Sequence, residues 1–115
     1  MGPLELLRWQ WESYPRYHTH RVNLILHLVV VPLFLAGSVI LLLGVVRLSW
    51  TWLLGGAACM AVSVVAQGRG HRLEAVPPEP FTGPGNFVGR LFLEQWINFP
   101  RFVLSGRWWQ SLRMG

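Results

Sequence analysis

A run of 23 residues without a formal charge, Leu24–Val46, is the feature that most constrains how this 115-residue chain can fold. The hydrocarbon core of a bilayer is about 30 Å thick and needs roughly 20 helical residues to cross it, so the run predicts a transmembrane helix over 22–46. A second uncharged stretch predicts another over 50–68. Because the link between them is short, the two should form an antiparallel hairpin. A soluble helical pair is disfavoured, since no polar residues could coat its outer faces.

Shorter segments flank the predicted hairpin. An interfacial helix is expected over 3–13, ended by Pro15, and four prolines in ten residues predict a stiff irregular loop over 76–85. Over 86–105 the pattern predicts an amphipathic helix, kinked or restarted by Pro100, that lies on the membrane or against the hairpin. Its polar stripe comprises Arg90, Glu94, Asn98, Arg101 and Ser105. The expected fold class is an all-α integral membrane protein, a single domain with a two-helix transmembrane hairpin and flanking interfacial helices.

The positive charges orient the predicted hairpin. The chain has ten Arg, no Lys and five Glu, a net charge of +5. No Arg run could follow a phosphate backbone, so we do not expect nucleic acid as a partner. Nine of the ten Arg residues flank the hairpin and only Arg47 lies in its loop, which predicts that both termini are cytoplasmic. The charged and aromatic first 23 residues disfavour a cleavable signal peptide.

The second predicted span is rich in small residues. They are Gly55, Gly56, Ala57, Ala58 and Ala61. Small residues let helices approach closely. We therefore expect tight packing in this span, either within the hairpin or against a second copy in a homo-oligomer.

All four histidines fall at the two hairpin ends that an antiparallel arrangement brings together. His18, His20 and His27 surround the start of the first span, and His71 follows the second, with Glu74 three residues later. Ionisable groups at membrane depth are costly and often functional. Imidazole with carboxylate and open coordination positions is the ligand set of non-haem Fe(II) oxygenases, and Zn and Mn fit the same ligand chemistry. These five residues are the predicted metal ligands.

Two conditions decide which of these residues can meet. His18 joins the others only if the first span begins after it and the chain folds back. His71 and Glu74 share a helical face with Gln67 only if the second helix continues past Gln67, a continuation that two nearby glycines disfavour.

Three arginines, Arg21, Arg69 and Arg72, flank the same ends of the hairpin. A guanidinium group can clamp a substrate carboxylate through two hydrogen bonds. Positive-inside anchoring explains the three residues equally well, so both interpretations stay open.

The two hairpin ends also resemble a known family. The segments YHTHRVNLILHLVVVP and QGRGHRLE, followed by PPEPF, are similar to the membrane 2-hydroxy fatty acid dioxygenases, which have yeast and bacterial members. The resemblance covers roughly Tyr17–Phe81 and matches His18, His27 and His71 to histidines of the family. The family's glutamate usually lies one position further from its histidine than Glu74 does. The eukaryotic members have an additional hydrophobic hairpin.

The resemblance implies an Fe(II)-dependent oxidoreductase of lipid metabolism. In this α-oxidation, a 2-hydroxy fatty acid and O₂ give the acid one carbon shorter and CO₂. His18, His27 and His71 would be catalytic and Fe²⁺ the cofactor. A lipid-derived 2-hydroxy acid, O₂ and membrane lipids would be the partners, in a bacterial inner membrane, with the acyl chain between hairpin and amphipathic helix under the 76–85 loop.

Two alternatives to an iron enzyme remain. In the first, the chain is a non-catalytic membrane scaffold or partner subunit whose histidines serve packing. In the second, pairs of histidines hold haem between protomers.

Overall fold

The computed structural model describes residues 2–114, and within that range its regular structure is entirely helical. The α-helices are α1 (Pro3–Tyr17), α2 (Arg21–Arg47), α3 (Trp50–His71), α4 (Pro84–Leu93), α5 (Phe99–Leu104) and α6 (Arg107–Met114). A π-helical turn, Glu94–Asn98, joins α4 to α5 without a break. The expectation of an all-α fold is confirmed for the described residues.

Helices α2 and α3 form the antiparallel hairpin. The link turns at Leu48, which adopts a left-handed conformation with φ 52°, and the Ser49 side chain caps α3 by accepting a hydrogen bond from the Trp52 amide. The two backbones lie close together at glycines. A Cβ atom built on Gly56 would lie 2.6 Å from the carbonyl oxygen of Gly37, closer than real atoms approach. Tight packing within the hairpin therefore depends on small residues, as predicted.

Gly56 is the predicted small residue that makes this close contact. A Cβ atom on the adjacent Gly55 would meet nothing within 4 Å among residues 2–114. Ala57, Ala58 and Ala61 are also exposed, away from α2. One face of α3 thus packs backbone to backbone, while the neighbouring face is free of contacts in the described chain.

The other helices form a second layer over the end of the hairpin where α2 begins and α3 ends. Their shared core is built from Tyr14, Leu24, Val31, Phe99, Phe102 and Trp108. The indole nitrogen of Trp108 donates a 3.0 Å hydrogen bond to the carbonyl oxygen of Leu24, which ties α6 to the start of α2. This layer builds the site described below and leaves the distal half of the hairpin bare.

The predictions for the two prolines of the flanking helices, Pro15 and Pro100, have different outcomes in the structure. The prediction that Pro15 ends the first helix is wrong, because α1 continues to Tyr17. A proline removes one backbone donor from a helix, and the buried Tyr14 and Tyr17 hold this last turn in the core. Pro100, predicted to kink or restart a helix, occupies the first turn of α5 directly after the π turn, and the helical run continues through it without a break.

The amphipathic helix buries part of its polar face, whereas an amphipathic helix of a soluble protein buries its apolar face. Part of its polar stripe turns inward: Arg90 and Asn98 are buried against the other helices, whereas Arg101 and Ser105 are exposed. On the apolar side, Phe92 and Trp96 are 38% and 45% exposed. Asn98 donates a hydrogen bond to Gln10 of α1, and the Arg90 side chain donates one to the carbonyl oxygen of Pro80. The outer face of α4 and the π turn is therefore apolar.

Helices α2 and α3 are long and apolar enough to cross a membrane. Only 22% and 17% of the residues in their most apolar windows are buried within the protein, which is far less than expected for core helices of a soluble domain. The outward residues include Val29, Val39, Leu42, Val46, Leu54, Val62 and Val65.

Candidate metal centre

Four side chains from four parts of the chain converge at the end of the hairpin where α2 begins and α3 ends. His18 lies in the link between α1 and α2, His27 two turns into α2, His71 at the end of α3, and Glu94 at the start of the π turn. Each offers one ligand atom, and these atoms all lie within 4.8 Å of one another. Both conditions for this meeting are fulfilled: α2 begins after His18, and α3 continues past Gln67.

The three imidazole rings surround a common point. Their centroids form a triangle with sides of 4.8, 4.9 and 5.0 Å, and each pair of planes is within 12° of perpendicular. Tyr14 stacks on His18 with a centroid distance of 3.8 Å, and Phe99 lies beside His27 at 6.0 Å. The histidines are therefore held in fixed orientations by an aromatic wall.

Backbone hydrogen bonds determine the tautomer of two of these histidines. Nδ1 of His18 lies 2.9 Å from the carbonyl oxygen of Tyr14, and Nδ1 of His27 lies 3.0 Å from that of Asn23. A carbonyl oxygen only accepts, so both Nδ1 atoms must carry the proton. In the neutral rings, the Nε2 atoms are therefore free lone pairs, the form in which histidine binds a metal.

Three buried ring nitrogens of the cluster have no hydrogen-bond partner, including the lone pairs of His18 and His27. Buried Nε2 of His18, Nε2 of His27 and Nδ1 of His71 make no hydrogen bond with any residue from 2 to 114. The Nε2 atoms lie 3.4 and 3.9 Å from Oε2 of Glu94. Lone pairs that face a carboxylate repel it unless a cation lies between them, and unpartnered buried polar atoms are costly. A proton or a metal ion would remove both penalties.

Glu94 is held ready as an anion. The Tyr14 hydroxyl donates a 2.9 Å hydrogen bond to Oε2 of Glu94. Burial alone would favour the neutral acid, but His18 and the other histidines outweigh it when they carry a proton, and they then lower the pKa of the Glu94 carboxyl to about 2. Burial and the neighbouring carboxylate together raise the pKa of Tyr14, so its hydroxyl stays protonated as the donor.

Glu74, a predicted ligand, lies outside this cluster. Its Oε1 accepts hydrogen bonds from the backbone amide of Thr19 at 2.9 Å and from the hydroxyl of Thr19 at 2.8 Å, and both oxygens accept from the amide of His20 at 3.1 Å. The amide group of Asn23 donates to Oε2 at 2.6 Å. Glu74 thus fastens the end of α3 to the start of α2, and these bonds lower its pKa despite partial burial.

The remaining predicted residues also lie outside the cluster. His20 is exposed and caps α2 by accepting a hydrogen bond from the Val22 amide. Arg21, Arg69 and Arg72 are exposed, and Nε of Arg21 donates to the carbonyl oxygen of Leu112 in α6. The structure therefore brings together three of the five predicted ligands and none of the three predicted carboxylate clamps.

Sequence reasoning missed Glu94 because it placed this residue on the outer polar face of the amphipathic helix. A polar stripe beside two apolar spans predicts the opposite orientation, with the polar face buried, since polar groups in membrane proteins turn toward the protein interior. That orientation would have pointed to Glu94.

Buried amide side chains hold the π turn in place. Gln67 of α3 and Gln95 exchange two hydrogen bonds of 2.8 Å, and Gln67 also donates to the hydroxyl of Ser63 at 2.9 Å. On the other side, Asn98 donates to Gln10 of α1 at 2.7 Å. Because these hydrogen bonds hold Gln95 and Asn98, which lie in the same π turn as Glu94, we attribute the position of Glu94 to this network. Such π turns often occur at functional sites.

A cavity of about 260 Å³ opens beside the cluster. His18, His71 and Glu94 form part of its wall, together with Arg90 of α4. Other parts of the wall are apolar or aromatic: Trp9, Val64, Pro78, Phe81, Phe87 and Leu91. The cavity thus combines a cluster of potential metal ligands with a surface suited to a hydrocarbon chain.

Comparisons with protein-family models, with curated proteins and with solved structures found no match to this chain.

Proposed function

We propose that the chain is an integral membrane protein in which α2 and α3 cross the bilayer and both termini face the cytoplasm of a bacterial cell. The exposed apolar exterior of the hairpin supports insertion, because water would otherwise surround fifteen large apolar side chains between Val22 and Val65. The arginines support the orientation, since nine of ten lie outside the hairpin loop. The second layer would then lie at the cytoplasmic interface.

We further propose that the chain is an Fe(II)-dependent dioxygenase of 2-hydroxy fatty acids. The observation that carries this proposal is the convergence of unpartnered imidazole nitrogens on a carboxylate, next to a cavity with a largely apolar wall. His18, His27, His71 and Glu94 would hold the metal, which fits imidazole and carboxylate ligands. The bound iron would supply the electron transfer that lets O₂ react with an organic substrate. The family resemblance between Tyr17 and Phe81 gives the substrate class.

The proposed reaction balances without a further co-substrate. A 2-hydroxy acid, R–CHOH–COOH, and one O₂ give R–COOH, CO₂ and one water. The bond between C1 and C2 breaks, C2 is oxidised to the new carboxyl carbon, and all four electrons that O₂ accepts come from the substrate.

Several residues of the chain would support this reaction without touching the substrate. The carbonyl oxygens of Tyr14 and Asn23 orient His18 and His27, so that their Nε2 atoms stay available. The hydroxyl of Tyr14 fixes one oxygen of Glu94. Ring packing around His27 and His18 keeps bulk water from the cluster, which strengthens every electrostatic interaction within it.

Metal binding is the first test. We expect the protein, purified in detergent and loaded with Fe(II) under anaerobic conditions, to bind about one iron per chain. His27→Ala should reduce the bound iron at least tenfold. The matched control is His20→Asn, which changes an exposed histidine and keeps a side chain able to cap α2. Equal iron content in His27→Ala and wild type would overturn the site.

Turnover is the second test. The iron-loaded protein should convert 2-hydroxypalmitate to pentadecanoate, with one O₂ consumed for each CO₂ released. Tight binding of zinc without any oxygen uptake in the iron form would refute the dioxygenase and leave a metal site of another kind. If neither metal binds and all four histidines tolerate replacement, the scaffold interpretation is favoured. A Soret band in the purified protein would favour haem.

A further inference from the structure

Arg90 is a buried cation that the metal cluster does not use. It lies in the last turn of α4, four residues before Glu94, and is only 9% exposed. Its guanidinium carbon lies 4.1 Å from the ring centroid of Phe81 and 5.2 Å from that of Trp9. The planar group is therefore held between two aromatic residues, one in the proline-rich loop and one in α1.

The charge of Arg90 has no carboxylate partner in the described chain. The salt bridges found within residues 2–114 both join a histidine to Glu94. The Arg90 side chain donates one hydrogen bond, from Nη1 to the carbonyl oxygen of Pro80 at 3.3 Å. A guanidinium group has five donors, so most of them remain for another acceptor. Burial lowers the pKa of Arg90, although the charges of Glu94 and Glu79 oppose this shift.

Arg90 lines the same cavity as the cluster. The cavity wall contains His18, His71 and Glu94, and it also contains apolar side chains of α3 and α4 such as Val64 and Leu91. A ligand with an anionic head and a hydrocarbon tail matches this combination. Its head would lie between the guanidinium and the histidines, and its tail along the apolar wall.

We infer that Arg90 binds the carboxylate of an aliphatic acid in this cavity and so determines that the substrate is a free acid rather than an ester or an alcohol. This inference rests on the proposed function for the reaction, but the binding step needs no metal. Arg90 takes the role that the sequence suggested for Arg21, Arg69 and Arg72. The aromatic rings beside it keep the guanidinium plane fixed, which favours a two-point hydrogen bond to a carboxylate.

The test compares an acid with its methyl ester, which lacks the negative charge. Calorimetric titration of metal-free protein in lipid nanodiscs, with empty nanodiscs as the blank, measures the affinity for 2-hydroxyoctanoate and for its methyl ester. Hydrogen bonds to a charged group contribute about 1.5–3 kcal/mol, so the acid should bind about 10- to 100-fold more tightly than the ester. Equal affinities in the wild type would overturn the inference without any variant.

Variants assign the preference to one residue. Arg90→Gln should bind acid and ester alike, whereas Arg90→Lys should keep part of the preference because the charge remains. The control is Arg101→Gln, which removes an exposed arginine that also lies over a ring, at 4.0 Å from that of Trp11. A preference for the acid that survives in Arg90→Gln would refute the assignment.

The iron-loaded enzyme separates this inference from the proposed function. Arg90→Gln should keep its iron and lose activity mainly through a higher KM, because the ligands of the metal are unchanged. A purely structural role for Arg90 would lower iron content and affinity for both ligands together. If no chain binds iron, the proposed function fails, and the comparison of acid with ester still decides the role of Arg90.

Discussion

Replacing Gln67 by Leu should destabilise the protein by removing the partner of a fully buried amide. Gln95 is 0% exposed, and its oxygen and nitrogen both bond to Gln67. Leu fills a similar volume but offers no donor or acceptor. In Gln67→Leu, the two polar groups of Gln95 are therefore left without partners in the interior.

The size of the effect follows from the number of lost bonds. Gln67 takes part in three side-chain hydrogen bonds. Bonds between helices in membrane proteins average about 0.6 kcal/mol each, while an orphaned buried polar group in a soluble protein costs about 1–3 kcal/mol. The first scale gives about 2 kcal/mol for three bonds, and the second gives about 2–6 kcal/mol for the two orphaned groups of Gln95, so Gln67→Leu should cost about 2 kcal/mol or more. Ser63 adds little, since its hydroxyl still donates to the carbonyl oxygen of Val30.

A double-mutant cycle measures this interaction. The free energy of unfolding in mixed micelles, followed by circular dichroism, is compared among the wild type, Gln67→Leu, Gln95→Leu and the double variant. Since removing both partners leaves no orphan, the double variant should be about 1 kcal/mol more stable than either single variant. Metal affinity should follow the same order, because Gln95 adjoins Glu94. If the single effects simply add within about 0.3 kcal/mol, the amide pair does not hold the π turn.

Three further predictions concern the hairpin and its ends. Gly56→Ala should destabilise the hairpin by about 2 kcal/mol or more through overpacking, whereas Gly55→Ala should be neutral or stabilise by up to about 1 kcal/mol, as measured by thermal unfolding. Glu74→Gln should lower the stability at pH 7. Because the folded pKa of Glu74 is depressed, the wild-type advantage over Glu74→Gln should be present above about pH 4.3 and be lost as the pH falls through the folded pKa, and an advantage that grows on acidification would contradict it. Trp108→Phe should cost about 1 kcal/mol, the net value of one hydrogen bond, with no change in iron content.

The meeting of the histidines could be predicted because it needs only hairpin topology. An antiparallel pair brings the start of one helix beside the end of the other, so His27 and His71 had to lie at one depth. Adding His18 required knowing where α1 ended. The sequence could suggest that condition but not decide it, since Pro15 pointed to an earlier end than the buried tyrosines allow.

The fourth member of the cluster could not be predicted from spacing. Helical periodicity assigns Glu94 and Asn98 to one face correctly, but it does not say whether that face points in or out. The choice depends on the medium around the helix, and partners such as Tyr14 and Gln10 come from 80 or more residues away in the sequence. Glu74 was proposed instead because it is close to His71 in sequence, yet nearby backbone amides occupy its oxygens.

The inward turn of the polar stripe separates the exterior of this protein from its chemistry. The side chains that would meet lipid, such as Phe92, Trp96 and the outer residues of α2, make none of the hydrogen bonds that build the cluster. A redesign that replaced these outer positions with polar residues could therefore yield a water-soluble version with an intact interior. Such a version would let the cluster be titrated, loaded with metal and crystallised in the absence of any detergent.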